Sequence, residues 1–281
     1  HVQLSDLKGV DSTIKALETH VIIPFERGDL IKELNLKPKK GVLLYGPPGT
    51  GKTSVGRALA HRLRGKFFLI DGTFISGESE FYKKVNQVFE AAKQNAPSII
   101  FIDDSDVIWE DDRETGLYRY LLTQMDGLEN ESDGMVCVMM TAMDIGNLPP
   151  ALVRSGRVEL WLEMSLPDEE ARREILNRWI ASAPPPLSAA NVSTIVTATD
   201  GLTGADLRRL CEDAKNLYAY DKTQGATETD VTAYYLQAVD EVQRNKAMQL
   251  SAQDQNAPHQ KSGRGTIAAM LAMEHMSNSK R

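Results

Sequence analysis

Cysteine is nearly absent from this sequence. Among 281 residues there are two, Cys137 in the apolar run MVCVMM and Cys211 in the helix-like stretch LRRLCEDA. Neither has a CxxC partner or a histidine cluster nearby, so both are predicted to be buried small hydrophobic residues rather than metal ligands. No disulfide framework is implied, which fits a reducing compartment.

Long hydrophobic runs and an excess of positive charge are missing too. No apolar run reaches the roughly 18 residues of a membrane-spanning helix, and the N-terminal stretch lacks the pattern of a signal peptide. We therefore expect a cytoplasmic protein without a membrane segment. The formal net charge of −7 argues against a surface built mainly for nucleic-acid phosphates. A nucleic-acid partner is not expected, although a local basic patch would be compatible with this balance.

The first part of the chain alternates short apolar runs with helix-like segments. Because the apolar runs are hydrophobic throughout rather than two-faced, they predict a parallel sheet covered by helices, an α/β fold. The predicted strands are 41–45, 66–71, 98–103, 135–142 and 158–163, and the predicted helices between them lie near 52–64, 78–95 and 113–126.

Beyond residue 165 the strand-like runs stop and helical spacing takes over. Asp168 and Thr203 stand at predicted N-caps. The predicted helices are 168–182, 189–199, 204–221 and 227–245. We expect a large α/β domain over 1–165, a small all-helical domain over 166–245 and a polar tail over 246–281. Within the tail, TIAAMLAMEHM is compatible with a loosely ordered terminus or with a short docking helix.

Residues 46–53, GPPGTGKT, fit the phosphate-binding pattern GxxxxGK[ST] between a predicted strand and a predicted helix. Glycines let backbone N–H groups close around phosphates, and the helix N-terminus adds partial positive charge. Lys52 would neutralise the β/γ-phosphate charge and the Thr53 hydroxyl would bind Mg²⁺. The strand SIIFI then ends at Asp103, the position of a carboxylate that holds the Mg²⁺ shell.

Several longer motifs extend this pattern along the chain, and with them the sequence resembles a single AAA-type ATPase module. The resemblance covers residues 4–245 and is to the branch that contains FtsH, NSF, katanin, spastin and the Cdc-type unfoldases. Its motifs are LKGVDSTIKAL, GPPGTGKT, GESE, LLTQMDGL, LPPALVRSGRVE, LPDEEARREIL and DGLTGADLRRLCEDA. It implies a three-layer P-loop NTPase core with a small helical lid, ATP bound between them with Mg²⁺, and usually a six-membered ring.

The resemblance also implies roles for individual residues. Arg154 and Arg157 match arginine fingers that reach the γ-phosphate of a neighbouring subunit, and Asp104 stands at the position of the catalytic Glu. With Lys52 these residues form the expected catalytic set. Ile175 and Trp179 match the lid helix facing the base, although ordinary lid packing would equally explain Trp179. The full nucleotide-binding set is Asp6, Leu7, Lys8, Pro48, Gly49, Thr50, Gly51, Lys52, Thr53, Ser54, Ile175, Trp179, Gly204 and Ala205, and the metal-binding set is Thr53 and Asp103.

Two departures from the family pattern affect the attacking water. Asp104 stands where members of the branch carry Glu, and its reach is shorter by about 1.5 Å; a displacement near 1 Å can cost about 100-fold in rate. The family's ATN reads TAM here, so Met143, a weak acceptor, replaces the water-polarising Asn. Asp144 or Thr141 could substitute, but a neighbouring strand residue faces the other side. Reduced turnover is favoured over complete loss.

A third departure concerns the segment before GESE. Ile75 and Ser76 stand where the family places a pore-loop aromatic and its apolar neighbour. Phe74 is compatible with a gripping role and with a packed loop residue.

The leading hypothesis is an ATPase subunit that binds MgATP, assembles into a homohexameric ring and remodels a protein substrate, with slow hydrolysis. The alternative is a nucleotide-dependent assembly or switch module with little or no turnover. Retained Arg154 and Arg157 favour the first, whereas Asp104 and Met143 favour the second. The sequence names no substrate or adaptor, and no further catalytic signature, such as HExxH, is present.

Overall fold

The computed structural model describes most of the chain: residue 4 and residues 7–36, 38–71, 78–105, 117–128, 135–148, 150, 152, 156–225 and 230–256. Several residues predicted to be functional lie outside these ranges, namely Asp6, Phe74, Ile75, Ser76 and Arg154, as does the tail from residue 257 onward.

Five parallel strands form one sheet in the order β2-β3-β4-β1-β5. The strands are β1 (Gly41–Tyr45), β2 (Lys66–Ile70), β3 (Ser98–Ile102), β4 (Val136–Ala142) and β5 (Leu160–Glu163). Each lies within the range predicted from its apolar run, because a strand covered on both faces has to be hydrophobic along its whole length. The two strands flanking the phosphate-binding site, β1 and β3, are separated by β4.

Alternate strand residues point into two different cores, which makes the sheet the middle of three layers. On one face Val42, Phe101 and Met139 pack with helices α1 and α4 (Asp11–Leu17 and Lys52–Arg62). The other face carries the intervening strand residues, and the helices that cover it are α5 (Glu78–Gln94) and α6 (Leu117–Asp126). Helix α5 places Phe81, Val85, Phe89 and Ala92 on one stripe, spaced three or four residues apart.

The N-terminal segment is more helical than the sequence patterns indicate. After α1 the helix continues through a π-helical turn over Glu18–Ile22, and two short helices, α2 (Ile23–Glu26) and α3 (Gly28–Glu33), follow. Leu17, Val21 and Ile22 are buried against the α4 face of the sheet. The contact with the sheet stabilises turns that are too short to be stable by themselves.

The region after residue 168 is helical and has its own core. Its helices are α7 (Glu169–Ala181), α8 (Val192–Ala198), α9 (Gly204–Gln224) and α10 (Thr232–Asn256), with a 3₁₀ turn at Leu187–Ala189. The predicted N-caps are confirmed: the Asp168 side chain accepts from the Ala171 N–H at 2.8 Å, and Thr203 forms a capping box with Asp206.

The predicted start of the polar tail falls within a helix. The sequence places the start of the polar tail at residue 246, whereas α10 continues to Asn256. Lys246 itself is held by two hydrogen bonds: its Nζ donates to Asp206 Oδ2 at 2.8 Å and to the Gly201 carbonyl at 3.1 Å. The residues that follow include Ala, Met, Gln and Leu, which have good helix propensity. The helix therefore continues beyond Val242, its last residue in the core of the helical region.

The two cysteines are buried and form no disulfide, as predicted. Burial raises the pKa of each thiol to about 12, so both stay protonated at neutral pH. Among the described helices, none is both long and apolar enough to cross a membrane.

Candidate nucleotide-binding site

The phosphate-binding loop connects the carboxyl end of β1 to the first turn of α4. Lys52 opens α4, and its side chain is buried. Its Nζ donates to the carbonyl oxygens of Gly46 and Pro47 at 2.7 and 2.9 Å, while the Thr50 hydroxyl donates to the same Pro47 carbonyl at 2.9 Å. These bonds hold an ammonium group at a helix N-terminus, where backbone N–H groups and the helix dipole favour an anion.

Gly49 is the point where this loop meets the helical region. Its φ of +77° is a left-handed conformation, and a Cβ there would lie 2.8 Å from Thr203 Oγ1 and 3.3 Å from the Ala205 Cβ. Its carbonyl accepts from the Ala205 N–H at 3.3 Å. Glycine is required for both the backbone conformation and the close approach. The first turn of α9, with Gly204 and Ala205, therefore lies directly against the loop.

Two hydroxyl groups bind the carboxylate of Asp103 at the end of β3. Thr53 Oγ1 donates to one oxygen at 3.1 Å, and Thr141 Oγ1 donates to the other at 2.7 Å. The Asp103 carboxylate and the Thr53 hydroxyl are hard oxygen ligands of the kind that Mg²⁺ prefers. The structure thus brings together the two residues predicted to hold the metal.

Asp104 follows Asp103 in a turn and has a positive φ of 48°. Its side chain is exposed, and its backbone N–H donates to Thr141 Oγ1 at 2.8 Å. Aspartate tolerates this left-handed conformation better than most residues do. The position of the acid is therefore fixed through its backbone.

Of the two residues considered as substitutes for the missing Asn, Thr141 is buried and donates its one hydroxyl hydrogen to Asp103. Strand β4 ends at Ala142, so Met143 lies just beyond the strand that carries Thr141. Asp144 accepts a hydrogen bond from the Gly146 N–H at 2.8 Å, within its own turn. Met143 is 44% exposed.

Arg157, one of the two predicted arginine fingers, forms a bidentate ion pair with Asp126 at the end of α6. Nη2 lies 2.7 Å from Oδ2, and Nε lies 2.5 Å from Oδ1. The hydrogen bonds from Arg157 lower the pKa of Asp126 below its ordinary value. Sequence analysis does not single out Asp126, although it belongs to the quoted motif LLTQMDGL.

Three further predicted nucleotide-binding residues, Lys8, Ile175 and Trp179, lie in the N-terminal segment and on α7. Lys8, in the N-terminal segment, forms an ion pair with Glu174 on α7 at 3.6 Å. Ile175 and Trp179 pack against the core of the helical region, and the Arg208 guanidinium lies 5.2 Å from the centre of the Trp179 ring. For Trp179, lid packing is therefore at least part of its role.

The sheet order and the loop around Lys52 define a P-loop nucleotide-binding protein. A family model described as "ATPase family associated with various cellular activities (AAA)" matches residues 42–166. Residues 42–166 are therefore an AAA-type ATPase module.

Three relatives illustrate the likeness. The cell division cycle protein 48 homolog of Archaeoglobus fulgidus is 38% identical over 224 residues, which are 76% of this chain and 30% of the relative. The proteasome-activating nucleotidase of Methanothermobacter thermautotrophicus is 33% identical over 258 residues, 86% of this chain and 60% of the relative. The 26S proteasome regulatory subunit 4 homolog of Saccharomyces cerevisiae is 34% identical over 254 residues, 86% and 56% respectively. The chain thus spans less than two thirds of each of these relatives.

Proposed function

We propose that this protein binds MgATP at the loop around Lys52 and hydrolyses it slowly to drive the remodelling of a protein partner. One observation carries the proposal. At the carboxyl ends of the strands the structure brings together a buried lysine, a helix N-terminus and a carboxylate that accepts hydrogen bonds from two hydroxyl groups. Together they match the charge of a triphosphate with its metal: cation and N–H donors for the phosphates, oxygen ligands for Mg²⁺.

Each residue has a distinct part in this chemistry. Lys52 would bind the β- and γ-phosphate oxygens, Thr53 and Asp103 would hold Mg²⁺, and Asp104 would orient the attacking water and accept its proton. Mg²⁺ would supply positive charge that offsets the negative charge on the phosphates. The contact between Gly49 and Ala205 would couple the phosphate loop to the helical lid.

Slow turnover follows from the side chains around the water. Asp104 is shorter than the glutamate of the resembling branch, and a methionine such as Met143 has no N–H donor to offer. A switch module, in which nucleotide binding controls assembly with little hydrolysis, is favoured by the same two residues. The two functions differ in rate and not in the binding site, so kinetics separates them.

The partner and the assembly are also proposals. Relatives are named as a proteasome-activating nucleotidase and a 26S proteasome regulatory subunit, and these names support a protein substrate. Arg157 supports a homohexameric ring, because an arginine finger acts on a neighbouring subunit's nucleotide. We place this activity in the cytoplasm, in keeping with two buried free thiols.

The test is steady-state phosphate release from the purified protein, measured beside its nucleotide-dependent oligomeric state. Lys52→Ala should abolish or strongly weaken MgATP binding, because the loop loses its cation at the β/γ-phosphates. Lys215→Ala is the matched control, since Lys215 pairs with Glu212 on the exposed face of α9. Unchanged ATP affinity in Lys52→Ala would exclude this loop as the phosphate site. Assembly with nucleotide but without phosphate release would favour the switch module.

A further inference from the structure

Thr141, the penultimate residue of β4, contacts both acidic residues of the site through one hydroxyl. Oγ1 lies 2.7 Å from Asp103 Oδ1 and 2.8 Å from the backbone nitrogen of Asp104. Thr141 is completely buried. The hydroxyl therefore joins the carboxylate of one acid to the backbone of the next.

The direction of these two hydrogen bonds is determined by chemistry. The Asp104 N–H can only donate, so the Thr141 oxygen accepts from it. The single hydroxyl hydrogen then goes to Asp103, whose carboxylate can only accept when it is ionised. A hydrogen bond to a charged acceptor is stronger than one between neutral groups. Thr141 consequently orients the ionised carboxylate and restrains the turn at Asp104.

The threonine backbone is itself held in place on both sides. Its strand lies between β1 and β3, with Thr141 opposite Leu44. Ser105, also buried, donates from Oγ to the Thr141 carbonyl oxygen. A rigid, buried donor of this kind is what the orientation of a metal-binding carboxylate needs.

We propose that Thr141 is a positioning residue for the Mg²⁺ site, acting through Asp103, and that it sets the conformation of the Asp104 turn. This inference rests on the proposed function, since it assigns a role to the residue that hydrogen-bonds Asp103, the proposed Mg²⁺ ligand. The resemblance places Ala, not Thr, at this position of the ATN motif. The hydroxyl is thus a feature of this chain, two residues before the position where Met143 replaces the amide of that motif.

The experiment is a Mg²⁺ titration of the binding of a fluorescent ATP analogue, with no turnover needed. Thr141→Val keeps the shape of the side chain and removes the hydroxyl. It should raise the Mg²⁺ concentration that gives half-maximal binding of the analogue by about 10- to 100-fold. Thr141→Ser keeps the hydroxyl and should stay close to wild type. Thr199→Val is the matched control, because Thr199 is equally buried and bonds the Val196 carbonyl in the helical region.

Two outcomes would overturn the inference. One is an unchanged Mg²⁺ dependence in Thr141→Val, and the other is an equal loss in Thr141→Val and Thr141→Ser, which would assign the effect to packing. If Thr141→Val does not fold, Thr141→Ala takes its place with the same expectation, because the resembling motif already carries Ala there. Wild-type protein without Mg²⁺-dependent binding would overturn the proposed function itself, whereas normal wild-type binding with unaffected variants overturns only the role of Thr141.

Discussion

Arg157 and Asp126 form a bidentate ion pair within one chain, with Nη2 and Oδ2 separated by 2.7 Å. Both side chains are partly exposed, 31% for Arg157 and 44% for Asp126. Such a pair adds little to stability. It does fix the direction of a planar guanidinium group, which is the property that an arginine finger requires.

Arg157→Ala should leave ATP binding nearly intact and remove hydrolysis, or remove ATP-induced assembly if hydrolysis is already low. A finger supplied in trans contributes on the order of 10³- to 10⁵-fold in related phosphoryl-transfer systems. Arg173→Ala, which breaks an exposed pair with Glu169 on α7, is the control. Phosphate release from mixtures of Arg157→Ala and Lys52→Ala should partly recover if sites are shared between subunits. Co-assembled mixtures without any activity would argue against a shared site.

Asp104→Glu should raise turnover and Asp104→Asn should lower it, with ATP affinity barely changed in both. A general base typically contributes about 10²- to 10⁴-fold to the rate of the chemical step. The positive φ at Asp104 adds a second expectation: Glu should cost about 1 kcal/mol in stability, because longer side chains tolerate left-handed backbone less well. Rates and unfolding curves should therefore be measured on the same samples.

Met143→Asn should act in the same direction as Asp104→Glu, and non-additively, because both positions are predicted to contact the same attacking water. Turnover of the double variant, measured beside that of the two single variants and the wild type, completes a double-mutant cycle. Rapid wild-type hydrolysis that Asp104→Glu slows would show a site adapted to aspartate. If neither Glu nor Asn alters a measurable rate, Asp104 is not the base.

Gly49→Ala should weaken nucleotide binding by separating the phosphate loop from the helical region. The new methyl group would lie 2.8 Å from Thr203 Oγ1, and the positive φ adds strain. Gly225→Ala is a suitable control, because its φ of +70° is similarly left-handed but nothing lies within 4 Å of a Cβ there. Equal nucleotide affinities of the two variants would mean that the contact with Thr203 is unimportant for binding.

Asp206 should make the stability of the helical region depend on acid pH. Burial raises the pKa of Asp206, but hydrogen bonds from Lys246 and Thr203 outweigh it, so the net shift is below the ordinary value of 3.8. A lowered folded-state pKa means that the ionised form favours folding. The contribution is complete above the unfolded pKa and is lost as pH falls through the folded one.

Asp206→Asn should therefore destabilise the protein by about 1 kcal/mol at neutral pH, and the difference from wild type should shrink below about pH 4. Asp213→Asn on the same helix is the control, because Asp213 forms a 3.5 Å ion pair with the exposed Arg209. Chemical unfolding at several pH values measures the stability of both variants and of the wild type. A difference that persists undiminished in acid would assign the effect to helix capping alone.

Much of the fold follows from the sequence. The apolar runs predict all five described strands, because parallel strands covered on both faces must be hydrophobic along their length. Asp168 and Thr203 are identified as helix caps from local pattern, since a cap depends on residues within one turn. Lys52, Thr53 and Asp103 are predicted to bind phosphate and Mg²⁺ because a phosphate site requires those residue types in a fixed order.

The contacts between distant segments were decided only by the tertiary structure. The sequence could not show that Thr141 bonds Asp103, because that distance depends on the register of β3 against β4. It likewise contained no sign that Asp126 pairs with Arg157 or that Gly49 meets Thr203. Local patterns specify what each residue can do, whereas long-range packing specifies which residues meet, and the hydroxyl of Thr141 acquires a role only through that packing.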